Sequence, residues 1–311
     1  MRVVVAGGAG FLGSHLCERL VARGDEVVCL DDLSTGSEDN VGHLSHEAAF
    51  SFVAADVSRE VPVGGRVDAV CNLASPASPP AYLARPLETL ATGSEGTRRL
   101  LEFAERSGAR YLLASTSEVY GDPEVHPQTE SYRGNVDPIG PRSVYDEAKR
   151  FAEALTMAAH RARGVDVGIA RIFNTYGPRL SADDGRVVSN FCVQALRTRP
   201  LTVYGDGTQT RSLCYVDDQV DGLLALLDAR VTGPVNIGNP DERTVAELAA
   251  KVLEITGSRS GIEHRPLPAD DPSRRCPDIT RARRELGWSP KVGLDDGLSR
   301  TVSWFRSHLG S

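Results

Sequence analysis

No apolar run in this chain approaches the roughly 18 residues that a membrane-crossing helix needs. The first apolar run is only a strand long and lacks the charged flank of a secretory leader, so a cytoplasmic protein is expected. Basic clusters are missing as well. The 35 Lys and Arg are dispersed among 42 Asp and Glu, for a net charge of −7. Phosphate backbones are gripped by grouped cations, so nucleic-acid binding is not expected. The six cysteines (Cys17, Cys29, Cys71, Cys192, Cys214, Cys276) are scattered without a C-x-x-C pair. Most have apolar neighbours and read as reduced, buried thiols. No H-x-x-x-H occurs among the seven histidines, and His43 and His46 have no neighbouring cysteine, so no metal is expected. There is no internal repeat and no low-complexity tail.

What is present suits one long α/β unit with a smaller lobe: 311 residues, 41% hydrophobic and 25% charged. Arg2–Ala6 is an apolar, β-branched run that reads as a buried strand. The glycine-rich turn Gly7-Gly8-Ala9-Gly10-Phe11-Leu12-Gly13 follows, and then helical apolar spacing from Ser14 to Arg23. Gly24 ends that helix and a second strand begins near Val27. Glycines here allow a tight turn and let backbone N–H groups approach a pyrophosphate at the helix N-terminus. Asp31 closes the second strand, where a carboxylate can bind ribose hydroxyls. Asp31 and Asp32 would repel a 2′-phosphate, and no Arg or Lys recurs before Arg59, so NAD is expected rather than NADP.

Alternation of strand and helix continues to about residue 175, with strands expected at 2–6, 26–30, 50–54, 68–73, 110–115 and 166–172. This is a Rossmann-like, doubly wound parallel sheet. The stretch Pro86 to Arg106 reads as one long helix. Later the chain is richer in loops, with a helix at 245–256 opened by a Thr244/Glu247 capping box and another at 294–309. The expected division is a dinucleotide-binding domain over 1–175 with a returning segment near 208–240, and a C-terminal substrate-binding lobe over 176–311.

Two further segments carry chemistry. Ser115-Thr116-Ser117-Glu118 sits at the carboxyl end of a strand, where ligands of open parallel sheets bind. Tyr145 and Lys149 are four apart, which places them on one helix face. A free tyrosine titrates near pH 10, and bringing it to about 7 needs roughly 4 kcal/mol. A lysine ammonium one turn away and a cofactor's positive charge are expected to supply that stabilisation.

Together these segments resemble the extended short-chain dehydrogenases/reductases, and within them the UDP-glucuronate decarboxylases (UDP-xylose synthases). The similarity also runs through Asn72–Pro79, Gly134–Ser143, Ala170–Arg179, Asp184–Phe191, Pro200–Arg211 and Asp270–Ile279. The chain departs from the family's usual residues at Ala91, Gly93, Arg133, Val144, Ala148, Leu213 and Cys214. The family commonly has Asn at the Gly93 position and Gly at the Ala148 position. Ala91, Gly93 and Arg133 leave room for altered specificity.

The resemblance implies an NAD-dependent decarboxylase, with Tyr145, Lys149, Thr116, Ser117, Glu118 and Arg275 as its catalytic residues. NAD would be held by Gly7, Gly10, Phe11, Leu12, Gly13, Asp31, Asp32, Ser34, Thr35, Gly36, Asp56, Val57, Leu73, Ala74, Ser75, Thr92, Ala114, Thr175 and Arg186, together with Tyr145 and Lys149. UDP-glucuronate would meet Pro76, Ser117, Glu118, Asn174, Val188, Thr202, Tyr204, Arg211 and Arg275. Tyr145 would take the C4 hydroxyl proton as NAD accepts the hydride. The resulting β-keto acid can lose CO2, and returning the hydride gives UDP-xylose. Glu118 would position the ring or relay a proton, and Arg275 would donate a proton or stabilise charge. The helices at 86–106 and around Tyr145 would form a homodimer interface. A UDP-glucuronate 4-epimerase, a decarboxylase that releases the 4-keto pentose, and a non-catalytic NAD-sensing module remain open alternatives. A dehydratase is disfavoured because that family places Asp where Ser117 stands.

Overall fold

The structure, a computed structural model, describes residues 1–267 and 274–309. Residues 270–273 of the family-like segment 270–279 lie outside the described residues.

The first half builds a sheet from β1 (Arg2–Ala6), β2 (Glu26–Asp31), β3 (Phe50–Ala54), β4 (Ala69–Asn72), β5 (Arg110–Thr116) and β6 (Val167–Ile172). Between them run α1 (Phe11–Ala22), α2 (Pro79–Ala84), α3 (Pro86–Ala91), α4 (Thr97–Ser107) and α5 (Ser143–Arg163). The second half contributes β7 (Thr175–Tyr176), α6 (Val187–Leu196), β8 (Leu201–Tyr204), β9 (Thr210–Ser212), β10 (Cys214–Tyr215) and α7 (Val216–Ala229). It continues with β11 (Pro234–Ile237), β12 (Glu242–Thr244), α8 (Val245–Thr256), β13 (Ile262–Arg265), β14 (Arg274–Arg275), α9 (Thr280–Leu286) and α10 (Leu294–His308).

Seven strands form one sheet in the order β11-β6-β5-β4-β1-β2-β3, with every neighbouring pair parallel. β11 contains the Val235–Ile237 stretch expected to return to the sheet. Side chains alternate across the strands as the two-residue period requires. Val3 and Val5 pack into one core cluster, which also takes in α1 and α7. Val4 and Ala6 pack into the other, with Leu100, Leu101 and Phe103 of α4 and Ala152 and Ala159 of α5. Buried on both faces, the central strands β1 and β4 are continuous runs rather than alternating ones, whereas edge strand β3 is only partly buried.

The order of strands reverses at β1, which lies between β2 and β4. The crevice beyond the carboxyl ends of β1 and β4 is therefore the switch point at which such sheets bind ligands. The second half closes this crevice from above. There β9 lies between β12 and β14, and β8 pairs with β13. The capping box of α8 forms as expected: Glu247 N–H donates to Thr244 Oγ1 (3.1 Å) and Thr244 N–H donates to Glu247 Oε2 (2.8 Å).

The long helix expected over 86–106 is corrected. α3 and α4 are joined by a π-helical turn at Thr92–Gly96. Glycine is a weak helix former, and Gly93 and Gly96 let the turn widen where it meets its neighbours. A Cβ on Gly96 would lie 2.9 Å from Val57 Cγ2, and one on Gly93 would lie 2.6 Å from Ala148 Cβ. The first helix also starts earlier than expected, at Phe11, because Gly10 is extended and serves as its N-cap. Among the described residues no helix is long and apolar enough to cross a membrane.

Candidate active site

The glycine turn holds a cradle with no room for side chains. Gly7 adopts φ +76°, and a Cβ there would come within 2.7 Å of the Leu73 and Ala74 backbone. A Cβ on Gly13 would run into the Gly7 carbonyl oxygen. No side chain caps α1, so its first N–H groups face the crevice. Asp31 braces this turn: its carboxylate accepts from Ala9 N–H (2.9 Å) and Leu33 N–H (2.8 Å). Burial raises the Asp31 pKa and these N–H donors act against the rise. The carboxylate keeps acceptor capacity for a ribose hydroxyl. The bare backbone, exposed helix N-terminus and acidic strand end fit NAD. They do not fit a cofactor carrying a 2′-phosphate.

At the next strand ends, β5 delivers Thr116 and a 3-10 turn delivers Ser117 and Glu118. α5 carries Tyr145 and Lys149 up against them, both buried. Lys149 Nζ donates to Ala114 O at 2.9 Å, which fixes the lysine under the strand end. It lies 5.8 Å from the Tyr145 ring centroid. Burial alone lowers the Lys149 pKa to about 8. The Tyr145 ring stacks on Tyr82, with centroids 5.1 Å apart and planes 7° apart.

The expectation for Tyr145 needs correction here. Burial pushes its pKa above the ordinary tyrosine value, and the Glu118 and Asp146 charges add to the rise. A hydrogen bond with Thr116 and the Arg186 charge act in the opposite direction. The protein's own groups thus do not lower this phenol on balance.

Glu118 is clamped by two arginines. Arg275 donates from Nη1 to Glu118 Oε1 (2.8 Å) and from Nη2 to Oε2 (3.0 Å), while Arg142 donates to Oε2 (2.7 Å). Arg275 also donates to Ser117 Oγ (3.0 Å) and to the Gly121 carbonyl (2.9 Å). Burial opposes ionisation of Glu118, but the guanidinium charges win and hold its pKa down at about 2. Arg274 beside it is exposed while Arg275 is only 3% exposed, which separates the two members of this basic pair.

Every residue named from the sequence for cofactor, substrate or catalysis lines one cavity of about 1250 Å³. That exceeds the roughly 300–1,000 Å³ of ordinary ligand pockets and suits a dinucleotide beside a nucleotide sugar. Gly7, Gly10 and Gly13 of the cradle, with Asp31, Asp56 and Val57, line the same cavity as Val188, Thr202, Tyr204 and Arg211. Arg186, held by Asp184 through two hydrogen bonds (2.5 and 2.7 Å), lies in the same cavity. Thr175 Oγ1 donates its proton to Phe173 O (2.9 Å) and lies 3.2 Å from Gln219 Oε1.

The sequence reading missed Arg142, Tyr82 and Asp146. Arg142 stands three residues before Tyr145 but faces Glu118, a contact no local spacing encodes. Asp146 is 6% exposed, and its Oδ1 has no hydrogen-bond partner among the described residues. Burial, with the Glu118 charge, raises its pKa to about 7.

The departures at Gly93 and Ala148 explain each other. Gly93 abuts Ala148 so closely that only one of the two positions has room for a Cβ. Gly93 of the π-helical turn and Ala148 of α5 meet as a packing pair.

Residues 3–238 match the NAD dependent epimerase/dehydratase family. The chain is 53% identical over 309 residues to UDP-glucuronic acid decarboxylase 1 of Arabidopsis thaliana, covering 99% of this chain and 71% of that protein. It is 50% identical over 308 residues to UDP-glucuronic acid decarboxylase 1 of Danio rerio, covering 99% and 73%. Among solved structures it is similar to a UDP-glucuronic acid 4-epimerase from Bacillus cereus in complex with UDP-glucuronic acid and NAD. That match has a TM-score of 0.88 at 27% identity, covering 99% of this chain and 100% of that one. With the switch-point crevice, the glycine cradle and the Tyr145/Lys149 pair already in place, the chain belongs to the NAD dependent epimerase/dehydratase family and groups there with the UDP-glucuronic acid decarboxylases.

Proposed function

We propose that this protein is an NAD-dependent decarboxylase that converts UDP-glucuronate to UDP-xylose. The observation that carries the reading is the meeting of Thr116, Ser117 and the arginine-clamped Glu118 with Tyr145 and Lys149 in one cavity. The cradle residues Gly7 to Gly13, with Asp31, Asp32, Thr92 and Lys149, would hold NAD. When bound, NAD supplies a positive charge and a reversible acceptor for the C4 hydride.

Tyr145 takes the proton of the C4 hydroxyl as C4 becomes a ketone. The C5–carboxylate bond can then break, because its electron pair is delocalised into an enolate; CO2 leaves, C5 takes a proton from solvent, and return of the hydride to C4 and of the Tyr145 proton to its oxygen gives UDP-xylose. Thr116 and Ser117 hydrogen-bond the C4 oxygen. Lys149, which titrates near 8, is mostly protonated at neutral pH and favours the Tyr145 phenolate. Glu118 remains a carboxylate under its two guanidiniums, so we assign it to holding Arg275 and Arg142 and positioning the sugar ring, not to relaying a proton. The Arg275 guanidinium then supports the charge that develops at C4 and C5.

In this proposal residues 1–175 with the return near 208–240 bind NAD, and residues 176–311 bind mainly the nucleotide sugar, with Arg211 placed for the diphosphate. A homodimer belongs to the same reading. Leu83, Leu87 and Leu90 of α2 and α3, and Phe151 of α5, are 49%, 76%, 38% and 50% exposed and offer an apolar face for it. The free, buried thiols suit a reducing, cytoplasmic compartment.

The fold match to a UDP-glucuronate-bound 4-epimerase favours that activity as the second reading. CO2 release separates the two. The proposal expects one CO2 for each UDP-glucuronate consumed at catalytic NAD, without net NADH. Substrate loss with no CO2 would defeat it.

A further inference from the structure

His126, Glu242 and Cys276 are far apart in sequence and lie on three different segments: the loop before α5, β12, and the residue after β14. The fold places their ligand atoms within 4.8 Å of one another. His126 Nε2 is 2.8 Å from Glu242 Oε2. The other carboxylate oxygen, Oε1, accepts from Thr210 Oγ1 at 2.7 Å, which fixes its orientation. Cys276 is buried, its backbone N–H is held by Gln128 Oε1 (2.9 Å), and its thiol donates to the Pro240 carbonyl (3.5 Å). The imidazole side of the cluster is half open, with His126 and Glu242 side chains 27% and 26% exposed.

We propose that His126, Glu242 and Cys276 form a binding site for a zinc-like divalent cation, completed by water from the open side. The donors fit the chemistry. One imidazole, one carboxylate and one thiolate make a mixed set of the kind zinc accepts, and three protein ligands plus water complete a tetrahedron. Tetrahedral ligands at zinc distances stand about 3.3–3.6 Å apart. The His126–Glu242 contact therefore opens by less than about 1 Å, and the sulfur closes by about as much. Partly exposed His126 and Glu242 can make that movement. Thr210 supplies the outer hydrogen bond that commonly orients a ligating carboxylate.

Binding replaces the Cys276 S–H bond with a sulfur–metal bond and releases that proton to solvent. Uptake is therefore stronger at higher pH. The site adjoins Arg275, so an occupied site ties the strand carrying this arginine to the loop holding Gln128 and to β12. The alternative is an ordinary His–Glu ion pair over a buried thiol, and it makes the opposite prediction for binding.

The test uses the full-length, NAD-loaded protein, stripped with a chelator and titrated with Zn2+ by calorimetry and with Co2+ by absorption spectroscopy. One equivalent per chain is expected, with the near-ultraviolet charge-transfer band of a cobalt–thiolate bond. Cys276→Ser should remove that band, and His126→Gln, a change on the open side, should weaken Zn2+ affinity at least about tenfold. Circular dichroism of each variant confirms that the fold is kept. No stoichiometric binding to the unmodified protein overturns the proposal, as does a charge-transfer band that survives in Cys276→Ser.

Discussion

Gly93→Asn tests whether the glycine is a packing requirement or a determinant of specificity. A Cβ at this position would lie 2.6 Å from Ala148 Cβ, and 3.2 Å from both Ala148 Cα and the Ala148 carbonyl oxygen. Carbon atoms in good contact stand about 3.5–4.0 Å apart, so the first of these overlaps by roughly 1 Å. Overpacking of this kind costs about 1–3 kcal/mol. Ala148→Gly alone costs about 1 kcal/mol through helix propensity. Simple addition would make the double variant worse by about 2–4 kcal/mol. If the two positions share one space, removing the Ala148 methyl makes room for the introduced asparagine side chain, and the double variant should lose only about 1 kcal/mol. The coupling is then roughly 1–3 kcal/mol, well above the few tenths seen for independent sites. Thermal melts read this coupling as a double variant melting about 2–6 °C above the additive expectation, at roughly 2 °C per kcal/mol for a chain of this size. Ala148 precedes Lys149, so NAD affinity should fall in Gly93→Asn and recover in the double variant. Additive melting shifts would refute the packing argument.

Three further outcomes follow from the site. Tyr145→Phe should lower turnover by roughly 10²–10⁴-fold while NAD still binds, checked by single-turnover absorbance; unchanged activity removes the tyrosine from proton transfer. Glu118→Gln leaves Arg275 and Arg142 without their shared carboxylate. Losing charge-assisted hydrogen bonds worth about 1.5–3 kcal/mol should slow turnover roughly 10–100-fold, with NAD affinity held within about twofold, and wild-type kinetics would refute the role assigned to the clamp. Asp146 has a raised pKa of about 7, so the folded protein retains a proton that the unfolded chain releases from about pH 4 upward. Stability from this group therefore declines as pH rises through about 4–7. Asp146→Asn should melt higher than wild type at about pH 8, by up to about 4 kcal/mol, and the advantage should vanish near pH 4; equal differences at both pH values would contradict it.

The parts of this fold that sequence reveals are those governed by local periodicity. Val3-Val4-Val5 and Val27–Leu30 are apolar on both faces, so they read as central parallel strands. The spacing of Gly7, Gly10 and Gly13 announces a backbone-lined turn, and Tyr145 and Lys149 fall one helical turn apart. The widening at Thr92–Gly96 is hidden from sequence because it is set by what Gly93 and Gly96 touch on other segments. The clamp on Glu118 is hidden for the same reason, since its arginines come from the residue before α5 and from β14. The direction of the Tyr145 pKa is not legible either, because spacing locates its lysine but says nothing of burial, which dominates. His126, Glu242 and Cys276 likewise have no telling interval: the β12–β9–β14 pairing brings Glu242 beside the Cys276 segment, and the Gln128–Pro277 bridge brings the His126 loop to it.

The most direct test of the proposed activity is proton NMR of UDP-glucuronate incubated with purified protein and catalytic NAD. The account predicts that the uronate H5 signal is replaced by the two C5 protons of a UDP-xylose ring, with no accumulation of NADH. Appearance of UDP-galacturonate with the carboxylate retained would contradict it and assign the site to 4-epimerisation.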